Sequence, residues 1–185
     1  VTTSGNAWGG INVDQGVGVT EIPHLTVTNV TTHTSPNGTL TPAIWVDKGN
    51  EAWVSVPQNS YIKQTVPNTQ MLAFFDIDEF TAAFPVHNVT KDTYFTTIQA
   101  AIDAASAGDT VEVGPGTYYG AIMINKPLTL ISKDGPQTTI LHGGMTAEST
   151  LYVVSIRASN VTLSGFTVTS PKFNSAWGGD PAGIM

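Results

Sequence analysis

Three acidic side chains lie close together midway along the chain, at Asp76, Asp78 and Glu79. Alternate residues of an extended strand point to the same face, so a strand here would place Asp76 and Asp78 side by side. Two carboxylates in that arrangement could bind a divalent cation or supply the acid and base for glycoside cleavage. The simpler interpretation, a solvated turn between two modules, is favoured.

The remaining side chains of catalytic type are dispersed. Asp109 follows Gly108 and is predicted to hydrogen-bond a turn, while Glu112 alternates out of an apolar run and is predicted to face solvent. Arg157, the one arginine, could act as the base of a lyase, but no acidic residue lies within several positions of it. The histidines lack the spacing of common metal sites: His24, His33, His87 and His142. We therefore predict no catalytic residue, no cofactor and no metal site.

The composition excludes several classes of partner. The net charge is −7 and charged residues make up 11% of the chain, whereas nucleic acids and anionic membranes are bound by clusters of Lys and Arg. The absence of cysteine removes disulfides, thiolate catalysis and Cys-ligated zinc. No apolar run approaches the roughly 20 residues of a membrane span. A weakly acidic chain in which Thr is the commonest residue indicates an extracellular or cell-surface location.

Two groups of residues could engage glycans. Four Asn-x-Thr sequons could carry N-linked sugars, at Asn29, Asn37, Asn88 and Asn160. Four tryptophans could form a sugar-stacking platform, namely Trp8, Trp45, Trp53 and Trp177. The favoured alternative for Trp8 and Trp177 is that they plug the ends of modules and contact the next unit.

A short amphipathic helix is predicted near residues 96–106. Apolar residues recur at helical spacing, at Ile98, Ala101, Ile102 and Ala105. Thr96 or Thr97 can serve as its N-cap, and Gly108 ends it. Asp103 lies on this helix.

Beyond the helix the pattern changes to period two. Short runs alternate apolar and polar side chains and are separated by Gly and Pro turns; they lie near 110–113, 118–124, 128–131, 139–142, 151–156 and 161–169. Strands this short fit a coil with about three strands per turn, each stacked on its equivalent one turn below. The open end of such a coil would expose apolar side chains and unpaired backbone groups, which the helix would cover.

Several segments resemble the right-handed parallel β-helix superfamily, which is pectate-lyase-like. The N-terminal cap of that superfamily is similar to residues 94–105, 108–113 and 116–118 of this chain. The rungs that follow its cap are similar to residues 126–131 and 160–168. The resemblance covers roughly residues 86–185 and is closest to repeat-containing surface proteins and the periplasmic NosD-like group. It implies an all-β solenoid with a short N-terminal capping helix, and it specifies a fold rather than a reaction.

Residues 1–85 have weaker patterns. Strands are predicted near 9–13, 25–28 and 61–66. Residues 43–46 and 52–56 flank a turn-like segment and are predicted to form a hairpin. Residues 71–75 are apolar without a clear period, and 76–84 fit either a strand or a short helical turn. The half as a whole is compatible with the closing rungs of a β-helix.

The segment Ala7–Gly10, Ala-Trp-Gly-Gly, recurs at Ala176–Gly179, a separation of 169 residues. The simplest interpretation is a tandem array, with 1–85 as the C-terminal rungs or closure of one module and 86–185 as the capped beginning of the next; one module cut out of phase is the alternative. We predict a non-catalytic structural protein of a surface layer, sheath, filament or adhesin stalk. Its partners would be copies of itself, neighbouring modules or cell-surface glycans. The alternative is a carbohydrate-active enzyme or carbohydrate-binding module of the same superfamily.

Overall fold

The protein is described by a computed structural model that covers residues 11–13, 25–26, 33–34, 40–47, 54–55, 60–67, 69, 71–143, 152–169 and 182–184. The chain divides into two compact units, Val1–Ala83 and Phe84–Met185. The described residues are mostly β-strand and include two short helices, in agreement with the expected predominance of β structure. The assignment of the two halves to successive modules stays a prediction.

The first unit contains eight described strands and one helix. They are β1 (Ile11–Val13), β2 (Leu25–Thr26), β3 (His33–Thr34), β4 (Leu40–Thr41), β5 (Ile44–Asp47), β6 (Val54–Ser55), β7 (Tyr61–Thr65), β8 (Met71–Asp76) and α1 (Ile77–Ala83). Four strands form a sheet in the order β1-β5-β8-β7, in which β1 is parallel to β5 and the other pairs are antiparallel. Its core is formed by Val13, Ala43, Ile44, Val46 and Tyr61.

The predicted hairpin between residues 43–46 and 52–56 is wrong. Strand β5 pairs with β1 on one side and β8 on the other, while β6 pairs with β2. The reason is burial, because Ile44 and Val46 of β5 are fully buried when the strand is central in its sheet. The turn-like residues after β5 are a local signal, whereas the partner of β5 is the apolar strand β8, whose Leu72 and Ala73 are also buried.

The second unit contains eleven described strands and the second helix. They are β9 (Val86–Asn88), β10 (Thr93–Phe95), α2 (Ile98–Ala104), β11 (Thr110–Val113), β12 (Gly116–Tyr119), β13 (Ile122–Ile124), β14 (Thr129–Ser132), β15 (Thr139–His142), β16 (Tyr152–Ile156), β17 (Thr162–Ser164), β18 (Thr167–Thr169) and β19 (Ala182–Ile184). They form three sheets, in the orders β10-β9-β11-β14-β17, β12-β15-β18 and β13-β16-β19. The pairs among β11 to β19 are all parallel, and each strand from β11 to β16 pairs with the strand three positions later.

Equivalent apolar residues are stacked along these sheets. Val111 is in register with Leu130, which is in register with Leu163. In the next sheet Tyr118, Leu141 and Val168 align in the same way. Val111 and Val113 of β11 and Leu130 of β14 are fully buried, and they alternate with half-buried neighbours. The period-two pattern in the sequence therefore corresponds to one buried and one outward face on each strand.

Helix α2 confirms the helix predicted near residues 96–106. The Oγ1 atom of Thr97 accepts a hydrogen bond from the Ala100 amide at 3.2 Å, so Thr97 is the N-cap. The helix buries Ile98, Ala101 and Ile102 in the core of the second unit. It packs against β9, β10, β11 and β13, so its apolar stripe lies against β11 and β13, the first strands of two of the parallel ladders.

Candidate functional site

The acidic cluster at Asp76, Asp78 and Glu79 begins helix α1. Asp76 Oδ1 accepts hydrogen bonds from the backbone amides of Asp78 at 3.0 Å and Glu79 at 3.2 Å. A carboxylate in this position satisfies amides that have no partner within the helix and interacts favourably with the helix dipole. The expectation that Asp76 and Asp78 share one face of a strand is wrong, because the strand ends at Asp76 and Asp78 is helical.

The capped end of the second unit is the most elaborate polar arrangement in the described residues. Asp109 is almost completely buried there. Its Oδ2 atom accepts hydrogen bonds from Asn88 Nδ2 at 2.9 Å and from the Ser106 amide at 2.8 Å, and it lies 3.3 Å from Lys91 Nζ. The hydrogen bonds from Asn88 and then Ser106 hold the pKa of Asp109 below its usual range, against the opposing effect of desolvation. The prediction that Asp109 hydrogen-bonds a turn is confirmed.

Asn88, one of the four predicted glycan acceptors, has a structural role in the folded chain. Its side chain is completely buried. The Nδ2 atom, to which a sugar would be attached, donates to Asp109, and Oδ1 accepts from the Lys91 amide at 3.1 Å. The folded chain therefore offers no access to this sequon. Asn160 is exposed and has a positive φ of 55°, a conformation that asparagine tolerates in turns.

Two lysines complete the C-terminus of helix α2. Lys91 Nζ donates to the Ala104 carbonyl at 2.8 Å, and Lys126 Nζ donates to the carbonyls of Asp103 and Ala105, each at 3.0 Å. The last carbonyls of a helix have no partner within the helix, and they carry the negative end of its dipole. The two ammonium groups therefore satisfy both the hydrogen bonds and the charge of this helix end. The sequence analysis missed both lysines.

Gln99 joins helix α2 to the first strand of one parallel sheet. Its Oε1 accepts from the Met123 amide at 2.8 Å, and its Nε2 donates to the Met123 carbonyl at 3.3 Å and to Asp103 Oδ1 at 2.8 Å. Met123 is the central residue of β13, which is the edge strand of its sheet. The primary amide of Gln99 thus occupies the position in which a neighbouring strand would pair.

The outer edge of β11, the first parallel strand of the five-stranded sheet, is hydrogen-bonded to the backbone of another strand. Strand β9 pairs with β11 in antiparallel orientation, and β10 pairs with β9. On the outward face the rings of His87 and Tyr94 are stacked, with centroids 4.0 Å apart and an interplanar angle of 3°, and His87 Nε2 lies 3.0 Å from Asp92 Oδ1. Burial, followed by the charges of Asp92 and Glu112, raises the pKa of Tyr94. This cluster stabilises the outer face of the cap.

The other candidate residues are not brought together. Arg157 is exposed and its Nε donates to Ser155 Oγ at 3.3 Å. Glu112 is half-buried opposite His87 on β9, and His142 Nδ1 lies 2.9 Å from the Gly143 carbonyl oxygen. Within the described residues no three His, Asp or Glu side chains are placed to share a metal ion, and no helix has the length and apolar character needed to cross a membrane. Several candidates lie outside the described residues: Trp8, Trp53, Trp177, His24, Asn29 and Asn37.

Comparison with known proteins gives one informative similarity. No family model matches the chain. Over 104 residues, which are 55% of the chain, it is 34% identical to a cell surface glycoprotein of Methanothermus fervidus. The matched region is 16% of the length of that protein. The chain is therefore similar to one part of a much larger cell surface glycoprotein.

Proposed function

We propose that residues 86–185 form the capped beginning of a right-handed parallel β-helix. The observation that carries this proposal is the strand order, in which β11, β12 and β13 each begin a separate parallel sheet and the chain then returns to each sheet in turn. One passage through the three sheets is one turn of a coil. The stacked apolar residues and the covering helix α2 support the same architecture.

The proposed role of the chain is structural, at the cell surface. The name of the similar protein, a cell surface glycoprotein, supports the location. The net charge of −7 and the near absence of arginine favour it over an intracellular role in nucleic-acid binding. The carboxylates that suggested catalysis serve local structure, since Asp76 caps α1 and Asp109 fixes the turn after α2. We propose that the chain is non-catalytic and carries a glycan at Asn160.

The proposed mode of action is assembly by repetition, either in tandem along one chain or between copies. Parallel strands hydrogen-bonded along one axis make a stiff rod. Contacts between identical units in a head-to-tail arrangement do not close on themselves and so extend into fibres or layers. The recurrence of Ala-Trp-Gly-Gly after 169 residues supports a repeated unit.

Electron microscopy and sedimentation velocity of the purified chain over a hundredfold range of concentration test the assembly. The expected result is a growth in particle length with concentration. Particles that stay monomeric at every concentration would contradict the proposal.

A glycan screen tests the non-catalytic role. Turnover of a polyuronide or neutral glycan, with or without Ca²⁺, that Asp78→Ala abolishes would contradict it. The matched variant Asp76→Asn retains a side chain that can cap α1 while removing its charge, and so separates chemistry from folding.

A further inference from the structure

The three strands that begin the parallel ladders, β11, β12 and β13, differ in whether their outer edge has a hydrogen-bonding partner. The outer edge of β11 is paired with β9, and the outer edge of β13 is met by the amide of Gln99. Among the described strands, β12, which begins the third sheet, pairs with β15 alone and is an edge strand. Helix α2 packs against β9, β10, β11 and β13, so its main contacts lie away from this edge.

The free hydrogen-bonding groups of β12 can be assigned. Gly116 N donates to the Thr138 carbonyl at 2.8 Å and Gly120 N donates to the His142 carbonyl at 2.9 Å. In a parallel ladder alternate residues bond to the same neighbour, so Gly116, Tyr118 and Gly120 face β15. Thr117 and Tyr119 therefore direct their N–H and C=O groups to the open side, and no residue in the described part of the chain bonds to them.

A cleft of about 420 Å³ lies along this edge. One wall is the start of helix α2, with Thr96, Thr97 and Gln99, and the other is β12 with the turn that follows it. None of the described residues that line the cleft is Asp, Glu, Lys, Arg or His. Tyr119 is 76% exposed at the rim. Within the described part of the chain, the cleft thus combines two pairs of unpaired backbone groups with uncharged walls.

We propose that the β12 edge is a strand-addition site that receives an extended, uncharged segment from a second copy of this chain. Both covered edges are met by amide groups, which indicates that the third also takes a peptide. A second copy is favoured by charge: each copy carries −7, so two copies repel one another on average and approach with least repulsion at a surface without charged side chains, such as the described lining of this cleft. The inference rests on the proposed assembly and names its contact.

The added strand makes up to four backbone hydrogen bonds, two with Thr117 and two with Tyr119. Thr117→Pro removes one outward N–H and places the ring in the path of the incoming strand. An edge strand tolerates proline where the N–H has no partner, and Gly116 before it accommodates the restriction that proline imposes. Thr117→Ala retains the backbone N–H and is the matched control.

Sedimentation velocity on the full chain and both variants decides the inference, with circular dichroism to confirm folding. We expect Thr117→Ala to associate like the unchanged chain and Thr117→Pro to associate at least about tenfold more weakly. Association of Thr117→Pro at the unchanged strength overturns the strand-addition site and leaves the proposed assembly standing. An unchanged chain that never associates overturns both.

Hydrogen exchange supplies a second measurement that needs no variant. The amides of Thr117 and Tyr119 exchange rapidly in the monomer and become protected in the assembled form. Equal exchange in the two forms overturns the inference. Protection of these amides in the monomer by a neutral oligosaccharide, without association, overturns it in favour of a sugar site.

Discussion

The packing of helix α2 against the core can be tested by shortening the side chain of Ile102. Ile102 is completely buried among the apolar residues of the second unit. Ile102→Ala removes a branched side chain and leaves a cavity, which costs about 2–5 kcal/mol in the free energy of unfolding. Ile102→Val removes a single methylene and costs about 0.5–1.5 kcal/mol.

The assay is urea and thermal unfolding of the three proteins, followed by circular dichroism. For a unit of about 100 residues, 1 kcal/mol corresponds to about 4–8 °C in melting temperature, so Ile102→Ala lowers the midpoint by at least about 8 °C. The graded loss from Ile102→Val to Ile102→Ala is the signature of a packed site. A loss below about 1 kcal/mol for Ile102→Ala would refute the conclusion that α2 is a buried cap and would indicate a helix resting loosely on the surface.

Three further predictions concern the polar residues of the second unit. Asn88→Ala lowers the midpoint of urea unfolding because it removes two buried hydrogen bonds, whereas Asn125→Ala, at an exposed position with an ordinary negative φ, leaves it unchanged; equal midpoints would contradict the structural role of Asn88. The pKa of Asp109 lies below its ordinary value of 3.8, so its stabilisation is complete above that value and is lost as the pH falls through the lowered pKa. Asp109→Asn therefore destabilises the protein at neutral pH and flattens the acid limb of a pH titration of the unfolding free energy. Intact-mass and peptide analysis of protein from a glycosylating host finds sugar at Asn160 and none at Asn88; sugar at Asn88 on folded protein would contradict its burial.

The predictions that succeeded depend on local periodicity. Ile98, Ala101 and Ile102 recur at helical spacing and are buried on one face of α2. The alternation around Val111 and Val113 likewise corresponds to inward positions of β11. In both segments the hydrophobic pattern and the final burial have the same period, so the sequence is sufficient.

The features that the sequence did not reveal depend on contacts between distant residues. The sequon at Asn88 is a three-residue motif, whereas its burial results from a hydrogen bond to Asp109, 21 positions away. Gln99 acts through Met123, 24 positions away, and its sequence offers one weak signal, the i, i+4 spacing to Asp103. The sequence left residues 76–84 open between a strand and a short helical turn, and the capping role of Asp76 depends on where strand β8 ends and helix α1 begins.

The central proposal is that the second unit is a coil in which each turn stacks on the one before. Thr129 and Thr162 are in register on adjacent strands β14 and β17, and both alternate with inward residues. Their Cα atoms are therefore about 4.8 Å apart, within the range that a disulfide requires. Thr129 and Ser164 are about 8 Å apart, beyond that range.

The chain has no cysteine of its own, so a disulfide between two introduced cysteines reports only on the distance between those two positions. Mild oxidation of the double variant Thr129→Cys with Thr162→Cys, followed by mass spectrometry of peptides without reduction, is the most direct measurement. The coil predicts a near-complete disulfide in this variant and little in the control with Thr129→Cys and Ser164→Cys. Equal yields in the two variants, or a disulfide in the control alone, would contradict it.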